Sequence, residues 1–207
     1  MKFKIVTLFT SFFLISNSFT QDFGRPELGV EGFASAGTNG GAYSLGLKFG
    51  FKANENVIIG PSFRRLKSWS SNIEGGNFSF SVYGIGGFAH IRYGNTVFAG
   101  VEYELFKTPV NSLGIVMAEK SHASTLFLGG GFSREFKNFV RLNAGVFYDI
   151  INQQNSPFRP TYLMKKTNPQ TGQIAGYIPV IYRITFFFPL GKIKKKGNEE
   201  NEEEEDE

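Results

Sequence analysis

The stretch Ala42-Tyr43-Ser44-Leu45-Gly46-Leu47-Lys48-Phe49-Gly50-Phe51 carries a large apolar side chain at every odd position. Every even position is small or charged. Successive side chains of a β-strand point to opposite faces, so this spacing predicts a strand with one apolar face and one small, polar face. A helix would scatter the same residues around its axis. Glycine weakens a strand and packs nothing against water, yet it suits a narrow, crowded interior. The odd face is therefore expected to meet lipid, and the even face the lumen of a small barrel.

The same alternation recurs along the chain. Strands are expected over 27–36, 42–51, 57–68, 78–93, 96–107, 124–135, 139–151 and 177–190. The phase of the first is weak: Leu28 and Val30 alternate with Gly29 and Glu31, but Phe33 interrupts. Pro61 costs the third strand a ladder bond. Phe78 and Phe80 are out of phase with Tyr83 to Tyr93, which places them above the bilayer or beyond a bulge. Tyr83 and Tyr93 bracket a band of the length needed to cross a membrane, ~9–11 residues. An odd loop preserves facing, so Tyr93-Gly94-Asn95 is expected to join the fourth and fifth strands. That loop sets Phe88 opposite Gly100, and Gly86 and Gly84 opposite Glu102 and Glu104. Phe136-Lys137-Asn138 is expected to join the sixth and seventh strands in the same way.

Tight turns (53–56, 93–95, 136–138) alternate with longer loops (69–77, 108–123, 152–175). Together these features predict an all-β, eight-stranded antiparallel up-and-down transmembrane β-barrel over residues 21–191. Short turns and both termini fall at one end, except that the first hairpin, with its turn at Gly37 to Gly41, is short on the long-loop side.

The chain's 207 residues include 25 Gly and 24 Phe and no Cys, a composition suited to many strands with tight turns and excluding disulfides and thiolate metal sites. Residues 1–20, with Lys2 and Lys4 before the apolar run Ile5 to Ile15, have the layout of a secretory signal peptide. Residues 192–207 hold four Lys followed by eight acids, expected as a charged, disordered periplasmic tail. The body between them carries 16 Lys and Arg against 10 Asp and Glu. For an exported chain, that excess points to anionic lipid rather than nucleic acid.

By strand pattern, loop asymmetry and the aromatic last strand ending Thr185-Phe186-Phe187-Phe188-Pro189-Leu190-Gly191, residues 27–191 resemble the small outer-membrane β-barrel proteins of the OmpA transmembrane-domain type. The resemblance implies outer-membrane location, lipid and lipopolysaccharide as surroundings, and insertion by the barrel-assembly machinery. It implies neither cofactor nor metal. Members of that family usually end on an aromatic residue, whereas sixteen residues follow Gly191 here.

Inward positions collect Glu31, Lys48, Arg64, His90, Arg92, Glu102, Glu104, Arg141, Asp149 and Arg183. Such charges must pair when buried, so a salt-bridge network filling the lumen is expected, with an ion pathway as the functional alternative. Glu102 and Glu104, two apart on one face, have the spacing of paired acid/base carboxylates, but they fit partners for arginines better. The outward set Tyr83, Tyr93, Tyr103, Tyr148, Tyr182, Phe186 and Phe188 is expected to form lipid-facing girdles. Basic residues Arg65, Lys67, Lys107, Lys120, Arg159, Lys165 and Lys166 near the long loops are candidates for lipopolysaccharide phosphates.

Two other functions fit parts of the sequence. His122-Ala123-Ser124 sets a histidine and a hydroxyl on one face, loosely similar to the site of the outer-membrane lipid A deacylases, with Glu119 or Glu135 as a third member. A soluble lipocalin-like barrel would turn the apolar face inward around a ligand. The expectation from the chain as a whole is a non-enzymatic barrel with a filled interior.

Overall fold

The computed structural model describes residues 24–37, 40–70, 78–111, 116–137, 139–162, 164–167, 169–170 and 174–190. The signal-peptide and tail assignments lie outside the described residues. The barrel strands are β1 (Gly24–Gly37), β2 (Gly40–Lys52), β3 (Val57–Ser70), β4 (Phe78–Tyr93), β5 (Val97–Val110), β6 (Val116–Phe136) and β7 (Val140–Asp149). A short hairpin, β8 (Met164–Thr167) with β9 (Ile174–Ile178), precedes the last barrel strand, β10 (Val180–Pro189).

Each barrel strand pairs antiparallel with its neighbour in sequence, and β1 pairs with β10 from Glu27↔Pro189 to Gly32↔Ile184. The result is a closed eight-stranded up-and-down barrel. Closure matters physically because it leaves no row of unpaired backbone groups at a sheet edge.

The β2–β3, β4–β5 and β6–β7 turns lie at the end where β1 starts and β10 stops, whereas β1 and β2 join closely at the opposite end, where Gly37 pairs with Gly40. Asn54 Oδ1 accepts from the backbone N–H groups of Asn56 and Val57 at 2.9 and 2.8 Å, shaping the β2–β3 turn. Both three-residue turns lie one position later than the sequence suggested. Tyr93 pairs with Val97, and Phe136 with Val140. Gly94, with φ +57°, and Lys137, with φ 49°, each take the left-handed conformation at the first loop position. Every pairing in these hairpins is therefore shifted by two residues: Gly84 faces Phe106, Gly86 faces Glu104, Phe88 faces Glu102 and His90 faces Gly100. A two-residue slip preserves facing, so the inward and outward sets survive it.

Other differences have local causes. β6 runs eight residues further toward the loops than expected, back to Val116, because β5 extends to Val110 and pairs with it beyond an irregularity at Thr108/Val110. Phe80 is buried inside the barrel, in register with β3 (Ser68↔Phe80), with no bulge. Phe33 is likewise buried, at a position in phase with Glu27, Gly29 and Glu31. In the β2–β3 ladder, pairing is continuous to Lys48↔Ser62 and resumes at Phe51↔Ile59, a gap that spans Pro61.

Candidate functional site

The barrel axis is filled by ions. Lys48 on β2 lies 2.5 Å from both Glu31 (β1) and Glu102 (β5). Arg64 on β3 contacts Glu31 at 2.5 Å through Nη2 and donates from Nε to Glu104 at 2.8 Å. Arg183 on β10 bonds Glu102 and lies 3.6 Å from Glu31 and from Glu104. Three cations thus meet three carboxylates, and each carboxylate touches at least two of the cations. His90 Nε2 stands 2.8 Å from Glu102, and since a carboxylate only accepts, the shared proton sits on Nε2. None of these seven side chains is more than 2 % exposed.

Glycines create the room. Arg64 pairs with Gly46 on one neighbouring strand and Gly84 on the other, and Arg183 pairs with Gly145. Phenylalanines complete the walls: the Arg183 guanidinium lies 4.1 Å from the Phe127 ring centroid, and that of Arg92 lies 4.5 Å from Phe187.

The other inward charges divide into separate sites. Arg92 donates to Glu27 at 2.8 Å, and Glu27 also meets Lys52 at 3.4 Å. Glu27 is absent from the sequence-derived set, although continuing the odd phase of Glu31 and Gly29 by two residues reaches it. Arg141 pairs with Glu135 at the turn-end mouth, beside a cavity of about 260 Å³ lined by Arg25, Glu27, Lys52, Glu135, Arg141 and Phe187. Asp149 accepts from Leu126 N at 3.1 Å, Ile151 N at 3.2 Å and the Tyr162 hydroxyl at 2.7 Å.

Tyr162 belongs to a plug that sequence reasoning missed. The connection after β7 folds inward through a short 3₁₀ turn (Arg159–Thr161), burying Phe158 and Tyr162. Phe158 packs edge-on against Phe106 and Phe127, with ring centroids 5.3 and 5.2 Å away. Its ring centroid is 5.8 Å from the guanidinium carbons of both Arg64 and Arg183. Burial, with the adjacent Asp149 carboxylate, pushes the Tyr162 hydroxyl above the ordinary phenol range. The available signal was two aromatics in a Pro-flanked, otherwise polar loop.

The outer wall is the inverse of the interior. Leu47, Phe63, Ile85 and Leu105 stand side by side on β2, β3, β4 and β5, all exposed. Tyr83 and Tyr93 are exposed ten residues apart on β4. At ~3.3 Å per residue and ~40° tilt that separation spans ~25 Å along the barrel axis. Tyr103 is exposed but pairs with Gly87, between the levels of Tyr83 and Tyr93, so it lies within the apolar band rather than at its border. Tyr148 and Phe186 are exposed, whereas Tyr182 is half-buried against Phe33 and donates to Ala34 O. Phe188 is half-buried, with Phe139 packed edge-on at 6.3 Å.

The proposed His-x-Ser pair lies on outward positions of β6. His122 is exposed, and Ser124 is half-buried with its backbone N–H donating to Gln153 Oε1 at 2.7 Å. Glu135 is held by Arg141 at the opposite end of the same strand, and Glu119 is exposed in the irregular stretch beyond Ser121. Among the described residues no hydrogen bond joins His122 to Ser124 or to either acid.

Of the basic loop-side residues, Arg65, Lys107 and Lys120 are exposed and Lys67 half-buried. Arg159 donates to Gln154 O at 3.4 Å. The side chains of Lys165 and Lys166 lie outside the described residues.

The fold and site define a closed eight-stranded β-barrel with an ionic interior and an apolar outer wall. No family model, curated protein or solved structure matches the chain.

Proposed function

We propose that the chain is an integral outer-membrane β-barrel of the OmpA transmembrane-domain type, exported by its first twenty residues, with a closed lumen and a structural or surface-interaction role without catalysis. The observation that carries this reading is the inversion of polarity: exposed Leu, Ile, Phe and Tyr around a closed barrel whose axis holds paired Lys, Arg and Glu. In water, such a continuous apolar wall is a liability far beyond the scattered apolar residues of ordinary surfaces. In lipid it is the favoured arrangement, since closure satisfies every strand. A soluble ligand carrier of the lipocalin kind would turn these side chains toward a cavity, whereas here they face out. The β2–β3, β4–β5 and β6–β7 turns, with the start of β1 and the end of β10, then lie in the periplasm, and the connections at the other end, the long one between β7 and β10 among them, face outward.

Fractionation of cells making the full chain tests the reading. The protein is expected in the outer membrane, resistant to alkaline carbonate and released by detergent. Recovery from the soluble periplasm without detergent would overturn it. In planar bilayers the purified barrel should give no steady, sizeable open level, because the ionic network and the Phe158 plug fill the bore.

A further inference from the structure

The outer wall distributes charge in a way the sequence alone does not display. On the barrel strands, up to the irregularity in β6, every Asp and Glu among the described residues points inward, whereas Arg65, Lys67, Lys107 and Arg134 point outward. Three of these four cations gather at the loop end of one side of the barrel. Pairing places Arg65 next to Tyr83, and one step beyond the Gly84↔Phe106 pair Lys107 flanks Tyr83 on its other side. His122 pairs with Lys107 on the next strand. The row Arg65, Tyr83, Lys107, His122 therefore crosses β3 to β6. It lies directly above the apolar row Phe63, Ile85, Leu105.

Lys67, paired with Tyr43, stands one outward position higher. The Arg65 guanidinium lies 5.8 Å from the Tyr83 ring centroid, which braces it against the wall. Among the described residues none of Arg65, Lys67 and Lys107 makes an ion pair, in contrast to the interior cations.

We propose that this face binds a diphosphorylated glycolipid of the lipid A type. The proposal rests on the outer-membrane reading above, which puts the loop end at the outer leaflet. Arg65 and Lys107 are two strands apart, ~10 Å at the usual inter-strand spacing. That separation suits two phosphates on one disaccharide, while the acyl chains descend along Phe63, Ile85 and Leu105. Arg65 offers a planar fork and Lys67 and Lys107 point charges, and neither chemistry discriminates unless the anion is brought to this border. A lipid whose phosphate lies at the head of an acyl-filled layer is delivered to it by the apolar wall itself.

The test uses the full chain folded in uncharged detergent, with native mass spectrometry reading bound lipid. The probes are diphosphoryl lipid A, its dephosphorylated form and phosphatidylglycerol. The wild type should retain the diphosphoryl form preferentially and lose it as salt rises. The combined variant Arg65→Gln, Lys67→Gln and Lys107→Gln should bind on the order of 100-fold more weakly, from roughly fivefold per cation. Arg134→Gln, on the same wall at the turn end, should bind normally. Folding is checked by heat-dependent gel mobility. If the triple variant does not fold, single Arg65→Gln and Lys107→Gln variants should each show the roughly fivefold loss. Unchanged binding in folded variants, or equal retention of phosphatidylglycerol or dephosphorylated lipid, overturns the proposal. These outcomes are independent of fractionation: a barrel found in the membrane that shows no phosphate preference fails here alone, and a soluble chain fails the earlier reading.

Discussion

Arg64 on β3 reaches over β4 to Glu104 on β5, with Nε donating to Oε1 at 2.8 Å. The strand between them carries glycine at both points of crossing: Gly84 pairs with Arg64, and Gly86 pairs with Glu104. Two long side chains thus meet above a strand that contributes almost no bulk. The same contact links Glu104 to Glu31 through the guanidinium, so three strands that do not adjoin one another are locked together by a single arginine.

Glu102 is expected to be the costliest charge to lose. It touches Lys48, His90 and Arg183, all buried. Glu102→Gln leaves Lys48 and Arg183 short of a counter-charge, and unfolding in urea from lipid vesicles should show a loss of about 3–5 kcal/mol. Glu135→Gln removes the partner of Arg141 at the partly solvated mouth, and a loss below about 1 kcal/mol is expected.

Two adjacent glycines on β4 should respond oppositely to a methyl group. A Cβ at Gly86 would fall 1.9 Å from the carbonyl oxygen of Tyr103, backbone that cannot step aside. At Gly87 the nearest atom is Gly60 O at 3.5 Å, an ordinary contact. Gly86→Ala should destabilise by about 1–3 kcal/mol or prevent folding, while Gly87→Ala should fold like the wild type. Heat-dependent gel mobility and urea midpoints distinguish the two.

The plug gives a pH dependence of known sign. Tyr162 holds its proton in the folded loop to higher pH than in the unfolded chain, because it is buried beside Asp149. Stability from this group is constant below the ordinary phenol pKa near 10 and falls as pH rises beyond it. Proteolysis within 150–162 should therefore accelerate above about pH 10 in the wild type. Tyr162→Phe should remove that dependence while loosening the loop at every pH by about 1–3 kcal/mol, since Asp149 Oδ2 loses its donor.

Ser124→Ala is expected to leave cellular lipid A acylation unchanged by mass spectrometry. A shift in acyl-chain number on that single substitution would reinstate the esterase alternative built on His122 and Ser124.

The alternation of residues 42–51 and its repeats was enough to assign strands, their two faces and the barrel, because the period of two belongs to the backbone and survives any tertiary arrangement. It also identified most of the ionic interior, from Glu31 and Lys48 to Arg183. Absolute register was beyond it. Parity fixes pairing only modulo two, and the left-handed Gly94 and Lys137 moved both three-residue turns one place along.

Which charge meets which was equally out of reach, since Arg183 and Glu102 are 81 positions apart and come together only when the sheet closes. The burial of Phe158 and Tyr162 depends on a loop folding back into space that the strands first have to enclose. The one-sided row of Arg65, Tyr83 and Lys107 exists only after three strands are set edge to edge. Local periodicity, then, is written in the chain, whereas pairing across the bore and adjacency around the wall come from closure.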